Sequence, residues 1–126
     1  MSIVGRDFLN AAQNCLKEGG EADLRSAVSR SYYGLYHEVC AILTCCPPTT
    51  HDGVVQYLTV GVSRKAEPFE LMSMTKVGAV LRQQKTKRKV SDYELSATVT
   101  STEASTSVEV VEKMLLYIDD MKKKVA

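Results

Sequence analysis

The chain has 126 residues, of which 44% are apolar, 25% charged and 6% aromatic. This length suits one domain with a single core, so we expect residues 1–126 to fold as one unit. Sixteen basic residues against fifteen acidic ones leave a net charge of +1. That balance excludes a polycation that binds nucleic acid by bulk charge alone, and the composition excludes disorder and a disulfide mini-scaffold.

No stretch of the chain is typical of an export signal or a membrane span. Arg6 and Asp7 interrupt the N-terminal stretch that could form a signal-peptide core. The uncharged run at 39–50 is too short to cross a bilayer and contains two adjacent prolines. We therefore expect a cytoplasmic protein with no membrane partner.

The cysteines do not predict a metal site. Cys15, Cys40, Cys45 and Cys46 lack the spacing of zinc ligands, and the chain has only two histidines. We expect reduced thiols that pack as small apolar groups, with no metal and no cofactor.

Helical periodicity recurs along the chain and is broken by glycine and proline. It predicts helices at 5–18, 21–45, 51–62 and 68–87, and a last helix that starts near Thr102. Residues 96–107 hold eight Ser or Thr, which indicates a solvated connector. Strand alternation is not evident, so the predicted fold is all-α: an up-and-down bundle of about five helices.

The second predicted helix combines an apolar face with an unusual opposite face. That opposite face carries Ser26, Ala27, Arg30, Tyr33, Gly34, His37 and Ala41. Glycine in mid-helix costs about 1 kcal/mol relative to alanine, so Gly34 indicates that another backbone approaches closely. We interpret the small residues of this face, Ser26, Ala27, Gly34 and Ala41, as a homodimer interface.

The spacing of the arginine and the histidine also favours a dimer. Arg30 and His37 lie about 10 Å apart along one helix, too far to share a phosphate easily. A two-fold axis near Tyr33 would place Arg30 of one copy beside His37 of the other. The plain alternative is that both are ordinary exposed residues.

Several segments resemble one known family. Residues 29–37, Ser-Arg-Ser-Tyr-Tyr-Gly-Leu-Tyr-His, resemble the signature helix of the HEPN superfamily (higher eukaryotes and prokaryotes nucleotide-binding), chiefly its small single-domain prokaryotic members. Residues 51–55 resemble the opening of that family's third helix. Residues 88–93 resemble its Arg-x-x-Ala-Asp-Tyr pattern, and residues 102–104 resemble the start of its last helix. The blocks follow the family's order and together cover most of the chain.

The resemblance implies a helical bundle that dimerises, with an Arg-x4-6-His motif at the dimer interface. In active members this motif acts as a metal-independent endoribonuclease. Arg30 and His37, with six residues between them, fit the motif at its longest spacing. Two positions depart from the family. At the first, Ser31 stands where active nucleases often have Asn, Asp or His. Val39 stands where toxins controlled by AMPylation carry a tyrosine, so we do not expect that control here.

The residue types suit RNA cleavage without a metal. A histidine ring can take the 2′-hydroxyl proton near neutral pH, and an arginine can stabilise the charged phosphorane. The expected products are a 2′,3′-cyclic phosphate and a 5′-hydroxyl. Further residues predicted to contact RNA are Ser31 beside the arginine, Tyr33 as a stacking surface, and the basic run with Lys85, Lys87 and Arg88. We expect His51 to cap or pack a helix rather than to act in catalysis.

Three functions compete at this point. The first is an RNase that acts as the toxin of a toxin–antitoxin system or as a phage-defence effector. The second is a non-catalytic HEPN module that binds a nucleotide, RNA or a partner such as a nucleotidyltransferase-like antitoxin. The third is a purely structural dimerisation bundle. The arginine and histidine together favour the first, whereas Ser31 and the near-neutral charge leave room for the second.

Overall fold

A computed structural model describes residues 2–126, which form five α-helices and one 3₁₀ turn without any strand. The helices are α1 (Gly5–Glu18), α2 (Glu21–Ile42), α3 (His51–Thr59), α4 (Leu71–Tyr93) and α5 (Ser101–Lys124), and the 3₁₀ turn is Val62–Ala66. The all-α prediction is therefore confirmed over the described residues.

The four long helices alternate in direction. Helices α1 and α2 form an antiparallel pair, joined by a tight turn in which Gly19 has a φ of 79°. Helix α4 runs antiparallel to α2, because Arg25 reaches the end of α4 while Tyr32 lies near Arg88. Helix α5 runs antiparallel to α4, with the hydroxyl of Tyr117 donating to Ser73 near the start of α4.

The short helix α3 departs from the predicted up-and-down order. At its start Asp52 pairs with Lys85, and at its end Thr59 lies against Gly78, so α3 is antiparallel to α4. It consequently runs in the same direction as α2. The segment 43–50, with its two prolines, carries the chain back along α2 and delivers His51 beside the middle of that helix.

The core forms along the apolar face that the sequence predicts for α2. Leu24, Val28, Tyr32, Leu35 and Val39 are all buried. Leu24 and Val28 form a smaller cluster with Val99 and Ala104. The other three belong to the main core, which includes Leu9, Val55, Leu58, Met74, Val77, Leu81, Val111, Leu115 and Ile118. Burial of each such side chain contributes about 1.5–3 kcal/mol, which holds α2 in the centre of the bundle.

Two helix ends differ from those that the hydrophobic periodicity predicts, because polar contacts determine where these helices end. Helix α2 ends at Ile42 rather than near residue 45, because the buried Glu67 carboxylate accepts the backbone N–H groups of Thr44 and Cys45. Helix α4 begins after Pro68 and continues to Tyr93, beyond the predicted end at residue 87. Arg25 donates to the carbonyls of Ser91 and Glu94 at that end, where a helix lacks partners for its last carbonyls.

The connector before the last helix is shorter than the Ser/Thr composition predicts. Thr100 is the N-cap of α5, and its hydroxyl accepts the backbone N–H of Glu103 at 3.1 Å. Much of the predicted connector is therefore the first turns of α5.

Candidate functional site

One strip of α2 remains open to solvent between α1 and α4. This α2 strip contains Ala22, Ser26, Ser29, Arg30, Tyr33, Tyr36, His37, Cys40 and Ala41, all exposed or half-buried. Tyr33 lies at its centre, midway between Arg30 and His37. The strip is the part of α2 that the rest of the bundle leaves uncovered.

Arg30 and His37 are both exposed on this strip. Within residues 2–126, neither side chain forms a hydrogen bond or an ion pair. This sets Arg30 apart from the arginines that hold the fold together, namely Arg6, Arg25, Arg64 and Arg88. The two side chains that the sequence predicts as catalytic are thus free to meet an external group.

Aromatic rings hold the ring of His37 in place. It stacks on Phe8 with ring centroids 5.2 Å apart, and the edge of Tyr36 meets it at 5.4 Å. Beside it runs a groove of about 460 Å³ between α1 and α2, lined by Ile3, Val4, Gly5, Phe8, His37, Glu38 and Ala41. His37 therefore forms one wall of an open, largely apolar groove.

A second histidine joins this cluster. The ring of His51 lies flat on Tyr36, with centroids 3.9 Å apart and planes 3° apart, and faces the edge of Tyr33 at 6.1 Å. Its Nδ1 lies 2.6 Å from the hydroxyl of Tyr32. Both histidines therefore adjoin Tyr33 and Tyr36. Sequence reasoning assigned His51 only a capping or packing role, although the resemblance at residues 51–55 already marked it.

Arg88 organises the tyrosines from the side of α4. Its guanidinium lies 5.4 Å from the ring centroid of Tyr32 and 5.6 Å from that of Tyr33, within cation–π range. Asp92 pairs with it at 3.5 Å and accepts a hydrogen bond from Ser29. The prediction that Arg88 contacts an RNA backbone is wrong, because this side chain is 8% exposed and packs inside the bundle.

The other predicted RNA contacts separate in space. Lys85 is half-buried and paired with Asp52 next to His51. Lys87 lines a different cavity, between α2, α4 and α5, together with Val28 and Glu103. The three predicted side chains therefore lie in different surroundings around the middle of α4, and they do not form one continuous patch.

Ser31 does not reach the strip. It is fully buried, and its hydroxyl donates to the carbonyl of Val28 at 2.9 Å. Its prediction as a polar RNA contact beside Arg30 is therefore wrong, since the residue after the arginine points into the core.

The structure also corrects the predicted dimer interface. Ala27 is fully buried, and a Cβ at Gly34 would lie 3.0 Å from the carbonyl oxygen of Gly5 and 3.3 Å from the backbone nitrogen of Leu9. The close approach that Gly34 indicates is therefore with α1 of the same chain. Of the predicted interface residues, only Ser26 and Ala41 lie on the α2 strip.

Burial shifts the titration of two groups in this cluster. It raises the pKa of Tyr32 well above its usual value, against the opposing effect of Arg88. Burial also lowers the pKa of His51, and the charges of Lys85 and Arg88 lower it further. The lowered pKa favours the neutral form of the His51 ring.

The described part of the chain contains no cluster of three or more His, Cys, Asp or Glu side chains able to hold a metal ion. Within the same residues, no helix is both long enough and apolar enough to span a membrane. Comparison of the chain with protein-family models, curated proteins and solved structures produced no match.

Proposed function

We propose that the chain is a metal-independent endoribonuclease of the HEPN type, acting as a homodimeric toxin or defence effector. The observation that carries this proposal is the pair Arg30 and His37, both exposed on one strip of α2 without an internal partner. Side chains that stabilise a fold usually form hydrogen bonds or ion pairs, as the buried and half-buried arginines of this chain do. A free arginine and a clamped, exposed histidine are the groups that phosphodiester cleavage requires.

In the proposed reaction, His37 takes the proton of the 2′-hydroxyl, and the 2′-oxygen attacks the adjacent phosphorus. The guanidinium of Arg30 binds the phosphate oxygens as negative charge accumulates on the phosphorane. The bond from phosphorus to the 5′-oxygen then breaks, and that oxygen takes up a proton from solvent. The products are a 2′,3′-cyclic phosphate and a 5′-hydroxyl end.

The site is completed by a second copy of the chain. Six residues of helix lie between Arg30 and His37 and place them about 10 Å apart along the axis, so one chain does not bring both to one phosphate. Two α2 strips that cross at Tyr33 would place each arginine near the partner copy's histidine. Ser26 and Ala41, which lie on the strip on either side of the Arg30–His37 pair, are small enough to allow close contact between the copies.

A cleavage assay tests the proposal. Wild-type protein is incubated with total RNA, with and without EDTA, beside the His37→Ala variant and an Arg82→Ala control. Arg82 is an exposed arginine of α4 whose side chain has no partner in residues 2–126, so it matches Arg30 in charge and exposure. We expect EDTA-resistant cleavage with cyclic phosphate ends, retained by Arg82→Ala and lost by His37→Ala. Cleavage that EDTA abolishes would refute the mechanism.

One observation favours a second candidate, a non-catalytic HEPN module that binds RNA, a nucleotide or an antitoxin-like partner protein. The buried hydroxyl of Ser31 contributes no polar group beside Arg30, where active nucleases often have one. Binding of RNA without cleavage, in the same assay conditions, would support this candidate over the nuclease.

A further inference from the structure

The hydrogen bond between Tyr32 and His51 has only one consistent direction. Tyr32 is fully buried, and its hydroxyl has no other partner in the described chain. If Nδ1 of His51 were the donor, the hydroxyl proton of Tyr32 would lack an acceptor, which is unfavourable in a buried site. The hydroxyl therefore donates to Nδ1, and the neutral ring of His51 carries its proton on Nε2.

That Nε2–H is available to an external acceptor. It forms no hydrogen bond within residues 2–126, and the buried side-chain atom that lacks a partner there is Nε of Arg88, not a nitrogen of His51. The hydroxyl group of Tyr33 likewise forms no hydrogen bond there, whereas the hydroxyl of Tyr36 is hydrogen-bonded with the Cys40 thiol. Two polar groups without partners, Nε2–H of His51 and the hydroxyl of Tyr33, thus belong to rings that adjoin each other.

Two ion pairs flank His51. Lys85 and Arg88 act on it from α4, His37 acts on it from α2, and Asp52 is the carboxylate that acts on it from α3. Asp52 pairs with Lys85 and Asp92 pairs with Arg88, so neither carboxylate is left unpaired to repel an anion. A neutral N–H donor beside two such pairs is able to bind a phosphate oxygen.

We propose that His51 is a second substrate-contacting histidine, whose Nε2–H binds a phosphate oxygen of the RNA strand held at the Arg30–His37 site. This inference rests on the proposed function, because it takes RNA as the ligand of that site. His51 adjoins the same two tyrosines as His37, so it contacts the phosphate next to the one that is cleaved. In this role it binds the strand and transfers no proton.

Nitrogen NMR of the histidine rings tests this proposal directly, because the chain has only two histidines and His37→Ala assigns both. We expect the free protein to show His51 neutral, with the proton on Nε2. Addition of a mixed-sequence, single-stranded 2′-O-methyl oligoribonucleotide, which cannot be cleaved through its 2′-oxygen, should shift the Nε2 resonance of His51 and leave Nδ1 bonded to Tyr32. A proton on Nδ1 or an unmoved Nε2 resonance would overturn the proposal.

Matched variants separate contact from structure. His51→Phe keeps a flat ring on Tyr36 but removes the Nε2 donor together with the Nδ1 acceptor of Tyr32, so both variants are made in a Tyr32→Phe background. His51→Gln in that background keeps a nitrogen donor near the position of Nε2. We expect His51→Phe to weaken binding of the oligoribonucleotide about tenfold and His51→Gln to retain most of it. Equal affinities for the two variants, at the helicity and melting temperature of the Tyr32→Phe background, would contradict a contact through Nε2.

The NMR experiment and the cleavage assay test the two proposals separately. Cleavage of RNA together with an unperturbed His51 would support the nuclease and overturn the role of His51. A shifted Nε2 resonance without cleavage would support the contact and favour the binding module over the nuclease.

Discussion

A heterodimer with His37→Ala in one copy and Arg30→Ala in the other tests whether the site spans two chains. If each site takes its arginine and histidine from different copies, one site of this heterodimer lacks both groups and the other is intact. The purified heterodimer should then retain about half of the wild-type cleavage rate, whereas each mutant homodimer should lose about 10²- to 10⁴-fold.

The structure predicts that these substitutions leave the fold intact. Both side chains are exposed and form no hydrogen bond or ion pair within the described residues, so their removal opens no core cavity. The free energy of unfolding should change by less than about 0.5 kcal/mol for Arg30→Ala, and by about 0.5–1.5 kcal/mol for His37→Ala, which loses the contacts with Phe8 and Tyr36. Urea denaturation of each variant checks this before any activity is compared.

The reciprocal heterodimer provides the control. Wild-type chain is paired with a chain that carries both Arg30→Ala and His37→Ala, and the two chains are purified through different affinity tags. Sites shared between copies leave both sites of this dimer incomplete, so it should be inactive. Sites within one chain would instead give about half activity here and none in the first heterodimer, a reversal that would refute the composite site.

Three further outcomes are expected. Gly34→Leu should lower the free energy of unfolding, measured in urea, by about 1–3 kcal/mol, because the new side chain would meet the backbone of α1. Ala41→Leu on the open strip should leave this free energy nearly unchanged, and equal effects of the two substitutions would contradict this packing. Arg88→Met should destabilise the fold by about 3 kcal/mol because it leaves Asp92 unpaired, and a neutral effect would contradict a structural role. Hydrogen bonds from Tyr57 and the 44–45 backbone hold the pKa of Glu67 below its usual value, against its burial. That group therefore adds stability above the ordinary carboxyl pKa, and the stability is lost as pH falls through the lowered value. Glu67→Gln should flatten the acid branch of a stability–pH curve, and an unchanged branch would refute the assignment.

Periodicity and punctuation predicted the class of the fold because their causes are local. The apolar face of α2 follows from side-chain spacing along one helix, and all of its central members are buried. Gly19 and Gly20 end α1 where the chain must turn, and the two prolines keep residues 47–50 out of any helix. Exposure of Arg30 and His37 follows from the same rule, since both lie opposite the apolar face.

Helix ends were less predictable because distant side chains determine them. The carboxylate of Glu67 holds the backbone just after α2, and Arg25 from α2 holds the last carbonyls of α4. Neither contact can be inferred from the sequence near the helix end, so the spacing of apolar residues alone extended α2 too far and ended α4 too early.

Helical periodicity depends only on neighbours along the chain, so the residue pattern alone predicts an all-helical chain with an arginine and a histidine on the polar side of its second helix. Which small residues are open and which are buried depends instead on how the helices pack: Gly34 lies against α1 and Ala27 is fully buried, while Ser26 and Ala41 stay on the open strip. The tertiary structure also decided that Arg88 supports Tyr32 and Tyr33 from within, and that His51 stands beside His37. Helix packing brings residues that are far apart in sequence together at this site, and no local sequence pattern predicts these contacts.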